Sequence, residues 1–186
     1  MAFEFEPTEL KEVIEVKTEA FSDVRGKFSE LLKVSDFAEA GIDINITQIN
    51  QSWSHEHVLR GLHYQNPPKA QAKLVTVVVG EIYDVAVDIR LGSPTYGKWI
   101  SRILSDKNQT MLYVPKGFAH GFCVLSEGAQ VVYYCSDEYA PEAEGGVIWD
   151  DPTLRIDWPT ERLIVSDKDE DFPELAEAEN EFRYEG

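Results

Sequence analysis

The stretch QAKLVTVVVGEIYDVAVDIR, residues 71–90, decides the fold class. Its two runs, 72–79 and 81–90, are rich in β-branched residues and are separated by the single residue Gly80. β-branched side chains are enriched in strands, and apolar residues that recur at every second position indicate a strand with one buried face. The pattern therefore predicts two successive β-strands.

Similar runs continue on both sides of this stretch, separated by breakers such as Asn66-Pro67-Pro68 and Gly92-Ser93-Pro94. The further predicted strands cover residues 28–34, 44–50, 57–64, 98–105, 110–115, 119–125 and 129–135. Many short strands at regular spacing are typical of an antiparallel sandwich or barrel. The sequence therefore predicts an all-β fold.

Helical signals are few. A short helical turn is predicted over 35–40, where Ser35 or Asp36 could be the N-cap. A C-terminal helix is predicted over 173–182, with Pro173 at its first position. We expect a single domain over residues 1–186, with an N-terminal arm over 1–20 and a helical appendage over about 166–186.

The chain carries 34 acidic and 17 basic residues among 186, a formal net charge of −17. The acidity is concentrated near the two ends and in one loop region, because residues 21–135 hold eleven acidic and eleven basic residues. A strongly acidic protein lacks the positive field that nucleic acids and anionic membranes require. We therefore expect neither partner, although local arginines can still bind a small anion.

Three further features indicate a cytoplasmic protein. No run of about 18 apolar residues is present to span a membrane. The start of the chain, MAFEFEPTEL, is acidic, where a secretory signal would be basic and then apolar. Cys123 and Cys135 form no disulfide framework, and we interpret both as small core residues.

Two of the four histidines lie in motifs. His63 lies in VLRGLHYQ, and His120 lies in VPKGFAHGF, whose P-x-G-x-x-H pattern resembles the second motif of the cupin superfamily of jelly rolls. A metal-dependent cupin would also offer an H-x-H pair followed by Glu. Here GLHYQ has one histidine, and His55-x-His57 precedes the glycine in a polar loop. We therefore predict no metal site.

A single histidine in a barrel can act as a base near neutral pH. Removing a proton from a carbon acid also requires a carboxylate to orient the imidazole, a cation for the enolate and an acid on the opposite face. Lys73 could supply the cation, and the segment 166–169 could supply carboxylates. The acid could come from a group of tyrosines, Tyr133, Tyr134 and Tyr139. Spacing alone leaves these roles open.

Taken in order, the motifs resemble the dTDP-4-dehydrorhamnose 3,5-epimerase family from about residue 20 to about residue 170. The matching segments are SDVRGKFSE (22–30), QINQSWS (48–54), VLRGLHYQ (58–65), QAKLVTVVVGEIYDVAVDIR (71–90), SPTYGKW (93–99), VPKGFAHGF (114–122), EGGVIWDDP (144–152), IDWP (156–159) and SDKD (166–169). The resemblance implies a cupin-like jelly roll that acts as a homodimer on a nucleotide sugar, without metal or cofactor.

The resemblance also implies roles for individual residues. His63 is the base, Asp169 its orienting carboxylate, Tyr133 the acid and Lys73 the enolate stabiliser. The residues implied to contact the substrate are His120 in the same pocket, Arg60 at the diphosphate, Arg25, Glu30, Gln48 and Asn50 at the nucleotide, Tyr139 stacked on the base, and Glu144 and Lys168. The implied reaction converts dTDP-4-dehydro-6-deoxy-D-glucose to dTDP-4-dehydro-L-rhamnose by inversion at C3 and C5.

Three residues depart from the family pattern. Ile49 stands where many members have Asp, Gln51 where His is frequent, and Tyr134 in place of a lysine. None of them is the implied acid, base or enolate stabiliser, so they bear on which nucleotide sugar binds. The alternatives are a mono-epimerase of C3 or C5 on a related 4-keto sugar, a metal-dependent cupin enzyme using His63 and His120, and a jelly roll that binds a sugar nucleotide without converting it.

Overall fold

Thirteen strands and three short helices lie within residues 3–186, the part of the chain that the computed structural model describes. The strands are β1 (Phe3–Pro7), β2 (Ile14–Thr18), β3 (Ala20–Asp23), β4 (Gly26–Ser29), β5 (Gln48–His55), β6 (Leu59–Gln65), β7 (Lys73–Val79), β8 (Glu81–Asp88), β9 (Trp99–Ser105), β10 (Thr110–Val114), β11 (Phe118–Val124), β12 (Gly128–Cys135) and β13 (Glu144–Gly146). The helices are α1 (Val34–Glu39), a 3-10 turn at Pro141–Ala143 and α2 (Asp167–Glu170).

The strands form two antiparallel sheets and one separate hairpin. The six-stranded sheet has the order β1-β2-β10-β7-β12-β5, and the five-stranded sheet has the order β13-β6-β11-β8-β9. Strands β3 and β4 pair with each other as a separate two-stranded sheet. The all-β class and the cupin-like jelly roll predicted from the sequence are confirmed.

Apolar side chains from both sheets meet in the core. Alternate residues of each strand point inward, so β7 supplies Val75 and Val77 while β8 supplies Ile82 and Ala86. Phe122 of β11 packs among them. Several inward-pointing polar side chains, among them Lys73, His120 and Tyr133, line the cavity of the candidate site.

Two glycines allow β6 and β11 to approach closely beside that site. A Cβ at Gly61 would lie 2.5 Å from the Cα of Gly121, so a side chain here would push the strands apart. The register between the strands is irregular just beyond this point, between His120 and Phe122. The close approach places His63 directly opposite His120.

The predicted N-terminal arm is part of the larger sheet. Its residues 3–7 and 14–18 form β1 and β2, and β2 pairs with β10. Residues 1 and 2 lie outside the described part of the chain.

The predicted C-terminal helix over 173–182 is wrong. This segment contains a single turn, in which the backbone N–H groups of Glu177 and Ala178 bond to the carbonyl of Glu174. Tertiary contacts override its helix-forming composition, because Leu175 is buried and its N–H donates to the Asp151 carboxylate. Within residues 166–186, helical structure is limited to the four residues of α2.

Other boundaries differ from the prediction. Helix α1 is present, but its N-cap is Lys33, which makes no side-chain capping bond. Asp36 instead accepts a 2.8 Å ion pair from Lys33. The strand predicted over 44–50 begins only at Gln48, because Ile44 packs with Phe37 of α1 on the outer face of the six-stranded sheet.

Candidate active site

The candidate site is an open cavity of about 290 Å³. Strands from both sheets line it, and both histidine motifs contribute a side chain. The lining includes eight of the residues that the resemblance implied: Asn50, Arg60, His63, Lys73, His120, Tyr133, Tyr139 and Glu144. Arg60 and Lys73 therefore place positive charge at the cavity of a protein whose net charge is −17.

His63 forms a hydrogen-bonded pair with Asp169. Its Nε2 lies 2.8 Å from Asp169 Oδ1, and the other carboxylate oxygen accepts the backbone N–H of Gly61 at 3.1 Å. Burial disfavours the charged form of Asp169, but the bonds from His63, Gly61 and Ser166 outweigh it and lower the pKa of this carboxyl. The ionised carboxylate can hold the imidazole in one orientation and stabilise an imidazolium.

A second pair lies beside the first. His120 Nε2 lies 2.9 and 3.0 Å from the two oxygens of Asp84, and both residues are buried. Burial raises the pKa of Asp84, while His120 and Lys73 oppose that rise. Sequence reasoning did not single out Asp84. The available signal is a charged residue within the buried strand EIYDVAVD, since an inward-facing carboxylate needs a partner.

Lys73 is half-buried at the start of β7 and faces the cavity, so it is not an ordinary surface lysine. Burial lowers the pKa of its ammonium, and the nearby Cys135, Glu144 and Asp84 partly offset this effect. An ammonium in a partly dry site interacts with a developing negative charge more strongly than one in bulk water.

Tyr133 and Tyr134 point in opposite directions because they are adjacent on β12. Tyr133 lines the cavity, and its hydroxyl lies 2.9 Å from Ser52 Oγ on the neighbouring strand β5. Burial raises the pKa of the Tyr133 phenol, which stays protonated at neutral pH. Tyr134 packs on the far face beside Ile49. Ser52 was not predicted, and only its inward position within QINQSWS could have indicated it.

A polar cluster lies at the cavity mouth. The Tyr139 hydroxyl donates to Glu144 at 2.8 Å, and Lys168 donates to the same carboxylate at 2.6 Å. Burial disfavours ionisation of Glu144, but these two donors lower its pKa overall. Gln48 accepts the backbone N–H of Tyr139 and donates to Asn50, both at 2.8 Å. Tyr139 itself is half exposed.

Arg60 is held by a buried serine. Its Nε donates to Ser54 Oγ at 2.9 Å, and Ser54 is two residues from Ser52 on the same face of β5. The guanidinium therefore has a fixed stem beside the cavity, as recognition of a phosphate group requires.

Arg25 and Glu30 lie outside the cavity of their own chain. Arg25 is on the β3–β4 hairpin with its side chain 87% exposed, and it pairs with Asp23. The hairpin also exposes the rings of Phe21 and Phe28, which face each other across the two strands.

Several other predictions concern the cysteines, metal binding and membrane spans. Cys123 and Cys135 are both buried and free, as expected for core residues, although Cys135 also lines the cavity. Within residues 3–186, no three His, Cys, Asp or Glu side chains are grouped so that they could hold a metal ion. The described part of the chain also has no helix with the length and apolarity needed to cross a membrane.

The sequence matches the dTDP-4-dehydrorhamnose 3,5-epimerase family over residues 7–177. The dTDP-4-dehydrorhamnose 3,5-epimerase of Shigella flexneri is 48% identical over 163 residues, which cover 87% of this chain and 90% of that protein. The dTDP-4-dehydrorhamnose 3-epimerase of Streptomyces niveus is 43% identical over 173 residues, covering 92% of this chain and 84% of that protein.

A solved structure agrees with these sequence matches. The dTDP-6-deoxy-D-glucose-3,5-epimerase of Legionella pneumophila Philadelphia 1, in complex with dTDP-4-keto-L-rhamnose, is 42% identical, with a TM-score of 0.95. The match covers 99% of this chain and 100% of that chain. The resemblance seen in the sequence motifs is thus confirmed over nearly the whole chain. The chain belongs to the dTDP-4-dehydrorhamnose 3,5-epimerase family and is an isomerase.

Proposed function

We propose that this protein is a cofactor-independent epimerase that inverts C3 and C5 of dTDP-4-dehydro-6-deoxy-D-glucose to give dTDP-4-dehydro-L-rhamnose. The observation that carries the proposal is the convergence of His63, Lys73 and Tyr133 on one cavity. The names of the relatives, and the sugar nucleotide bound to the Legionella protein, support the substrate class.

In the first step His63 removes a proton from a carbon next to the C4 ketone. Asp169 accepts the Nε2–H of the imidazole, which leaves Nδ1 to take the substrate proton. The electron pair of the C–H bond moves into an enolate, and the Lys73 ammonium stabilises the negative charge on its oxygen. His120, which is paired with the buried Asp84, lines the same cavity.

In the second step Tyr133 returns a proton from the opposite face of the sugar, so that the carbon is inverted. The phenol suits an acid because its raised pKa keeps it protonated at neutral pH. Solvent then reprotonates the phenolate and removes the proton from His63. The same sequence at the second carbon completes the double epimerisation.

The Ser52 hydroxyl fixes the direction of the Tyr133 phenol and donates to the phenolate that forms. Ser52→Ala is expected to lower kcat about tenfold, the equivalent of one hydrogen bond, with little change in KM. Steady-state kinetics would measure both constants. The matched control is Ser54→Ala, which removes the bond to Arg60 and is expected to raise KM instead. Equal effects of the two substitutions on kcat would contradict this role for Ser52.

Arg60 binds the diphosphate in this proposal, and Tyr139 stacks on the nucleobase. The other nucleotide and substrate contacts are Gln48, Asn50, Glu144 and Lys168, which the hydrogen bonds at the cavity mouth already hold together. A planar base favours an aromatic face, and diphosphate oxygens favour the paired donors of a guanidinium.

Arg25 and Glu30 are proposed to reach the nucleotide in the cavity of a partner subunit. They lie outside their own cavity, and the β3–β4 hairpin that carries Arg25 exposes two phenylalanine rings. A symmetric homodimer would cover those rings and complete each site.

Arg25→Ala is therefore expected to raise KM several-fold with kcat nearly unchanged. The matched control is Arg162→Ala, which changes an exposed arginine between β13 and α2 and is expected to leave KM at the wild-type value. Sedimentation velocity at micromolar concentration should show a species of twice the 21.1-kDa chain mass. A monomer together with an unchanged KM in Arg25→Ala would contradict the shared site.

The test of the proposed function is the structure of the product made from dTDP-4-dehydro-6-deoxy-D-glucose in water. Proton NMR coupling constants distinguish inversion at both carbons from inversion at C3 alone. The similarity to the 3-epimerase of Streptomyces niveus makes C3 inversion alone the second candidate. Substrate that stays unchanged with enzyme present at catalytic concentration would exclude both.

A further inference from the structure

Phe172 contacts the imidazole of His63 but belongs to a different depression of the surface. The two ring centroids are 5.6 Å apart and the ring planes are 68° apart, an edge-on contact. His63 lines the substrate cavity, whereas Phe172 lines a neighbouring groove of about 750 Å³. The phenyl ring thus stands between the imidazole and this groove.

The chain builds this contact from two elements. Asp169 in α2 and Phe172 just after it come from one short segment, so that segment supplies both the carboxylate at Nε2 and the ring at the edge of the imidazole. Gly146 of β13 lies opposite His63, and a Cβ there would be 2.6 Å from three carbons of the Phe172 ring. The missing side chain at Gly146 leaves the space that the ring occupies.

The neighbouring groove is acidic, and we call it the acidic groove. Its lining contains the carboxylates of Glu142, Glu177, Glu179 and Glu181, and it shares with the substrate cavity Glu144, which is paired with Lys168. Its one lysine, Lys69, lies 3.1 Å from Asp137. Such a surface repels an anionic nucleotide sugar and holds water. If the phenyl ring were absent, water from the acidic groove would reach the side of His63 that Phe172 covers.

We propose that Phe172 is a positioning residue for His63: its ring holds the imidazole against Asp169 and separates the imidazolium from the water of the acidic groove. The inference rests on the proposed function and deepens it. An imidazolium that meets water exchanges the proton it has just taken. If it then returns a proton to the same face of the enolate, the substrate is labelled by solvent but not inverted. Inversion requires the proton of Tyr133 on the other face.

The experiment is epimerisation in D2O, followed by NMR or mass spectrometry of recovered substrate and product. The measured quantity is the amount of uninverted substrate that carries deuterium, divided by the amount of inverted product. Phe172→Ala is expected to raise this ratio several-fold and to lower kcat with little change in KM, because the ring does not line the substrate cavity. Phe172→Leu, which fills most of the same space, should restore the ratio toward the wild-type value.

The matched control is Phe182→Ala, which removes a ring that packs on Tyr64 in the same C-terminal segment without touching His63. It should leave the ratio unchanged even if the protein is less stable. Should Phe172→Ala fail to fold, the smaller truncation Phe172→Val is expected to shift the ratio in the same direction. If Phe172→Ala lowers solvent exchange and inversion in the same proportion, Phe172 has a purely structural role and the inference is overturned.

Failure of this inference is distinguishable from failure of the proposed function. If the wild-type protein inverts the sugar and Phe172→Ala leaves the deuterium ratio unchanged, only the role of Phe172 is overturned. Wild-type protein that neither exchanges nor inverts would remove both.

Discussion

Replacing His63 with alanine is expected to lower epimerisation and solvent exchange together, by about a thousandfold, the usual scale of a lost general base. Of the two imidazoles that line the cavity, that of His63 is bonded to Asp169, whose pKa is lowered, whereas that of His120 is buried and bonded to the buried Asp84. The measurement is the loss of the C3 and C5 proton signals of the substrate in D2O. Both signals should persist in the variant.

Two further variants show whether the loss is chemical. His63→Asn can keep a hydrogen bond to Asp169 without acting as a base, so it should be as inactive as His63→Ala while folding normally. His55→Ala removes an exposed histidine outside the cavity and should behave as wild type. Exchange at near wild-type rate in His63→Ala would mean that another group is the base.

Tyr133→Phe is expected to separate exchange from inversion. Without the phenol hydroxyl the enolate still forms through His63, but the opposite face has no acid. Inversion should fall about a hundredfold, while deuterium continues to enter the uninverted substrate. The same D2O experiment measures both rates. A proportionate fall of exchange and inversion would contradict the assignment of Tyr133 as the acid.

The adjacent tyrosine provides the matched control for this prediction. Tyr134→Phe removes the same hydroxyl from the next residue of β12, whose side chain packs beside Ile49 away from the cavity. Both rates should stay at the wild-type level. A loss of inversion in Tyr134→Phe as large as that in Tyr133→Phe would indicate a general effect on β12.

The strands were predictable where side-chain pattern and pairing agree. In 72–79 and 81–90 Val75, Val77 and Ile82 face the core between the two sheets, and Val85 and Val87 pack in a second buried cluster. The local pattern and the tertiary structure therefore select the same conformation. Strand β13 was not predicted, because Glu-Gly-Gly has no strand preference of its own. It forms because β6 offers a pairing edge and because Phe172 packs where Gly146 has no side chain.

In the C-terminal segment 173–182, by contrast, the local pattern and the tertiary structure disagree. The composition of PELAEAENEF favours a helix, but an isolated helix of ten residues is marginal in water. Contacts at its two ends select another path: Leu175 is anchored by Asp151, and Arg183 forms a bridge with Leu91. Nothing local in the sequence indicates those distant partners.

The candidate site was predictable mainly through the ordered motifs. They identified His63, Lys73, Tyr133 and Asp169, which the fold brings together from three strands and a short helix. The charge of Asp84 within the buried strand EIYDVAVD indicates that this residue needs a partner. Only the packing of β8 beside β11 identifies that partner as His120.

The central claim is that His63 removes a proton from one face of the sugar to give an enolate. Tyr133 then returns a proton, which comes from solvent, to the opposite face. The most direct test is to convert dTDP-4-dehydro-6-deoxy-D-glucose in D2O with the wild-type protein and to locate deuterium in the inverted product. The account predicts deuterium at every inverted carbon, delivered by a Tyr133 hydroxyl that has equilibrated with solvent. Inverted product that retains protium at those carbons would contradict it.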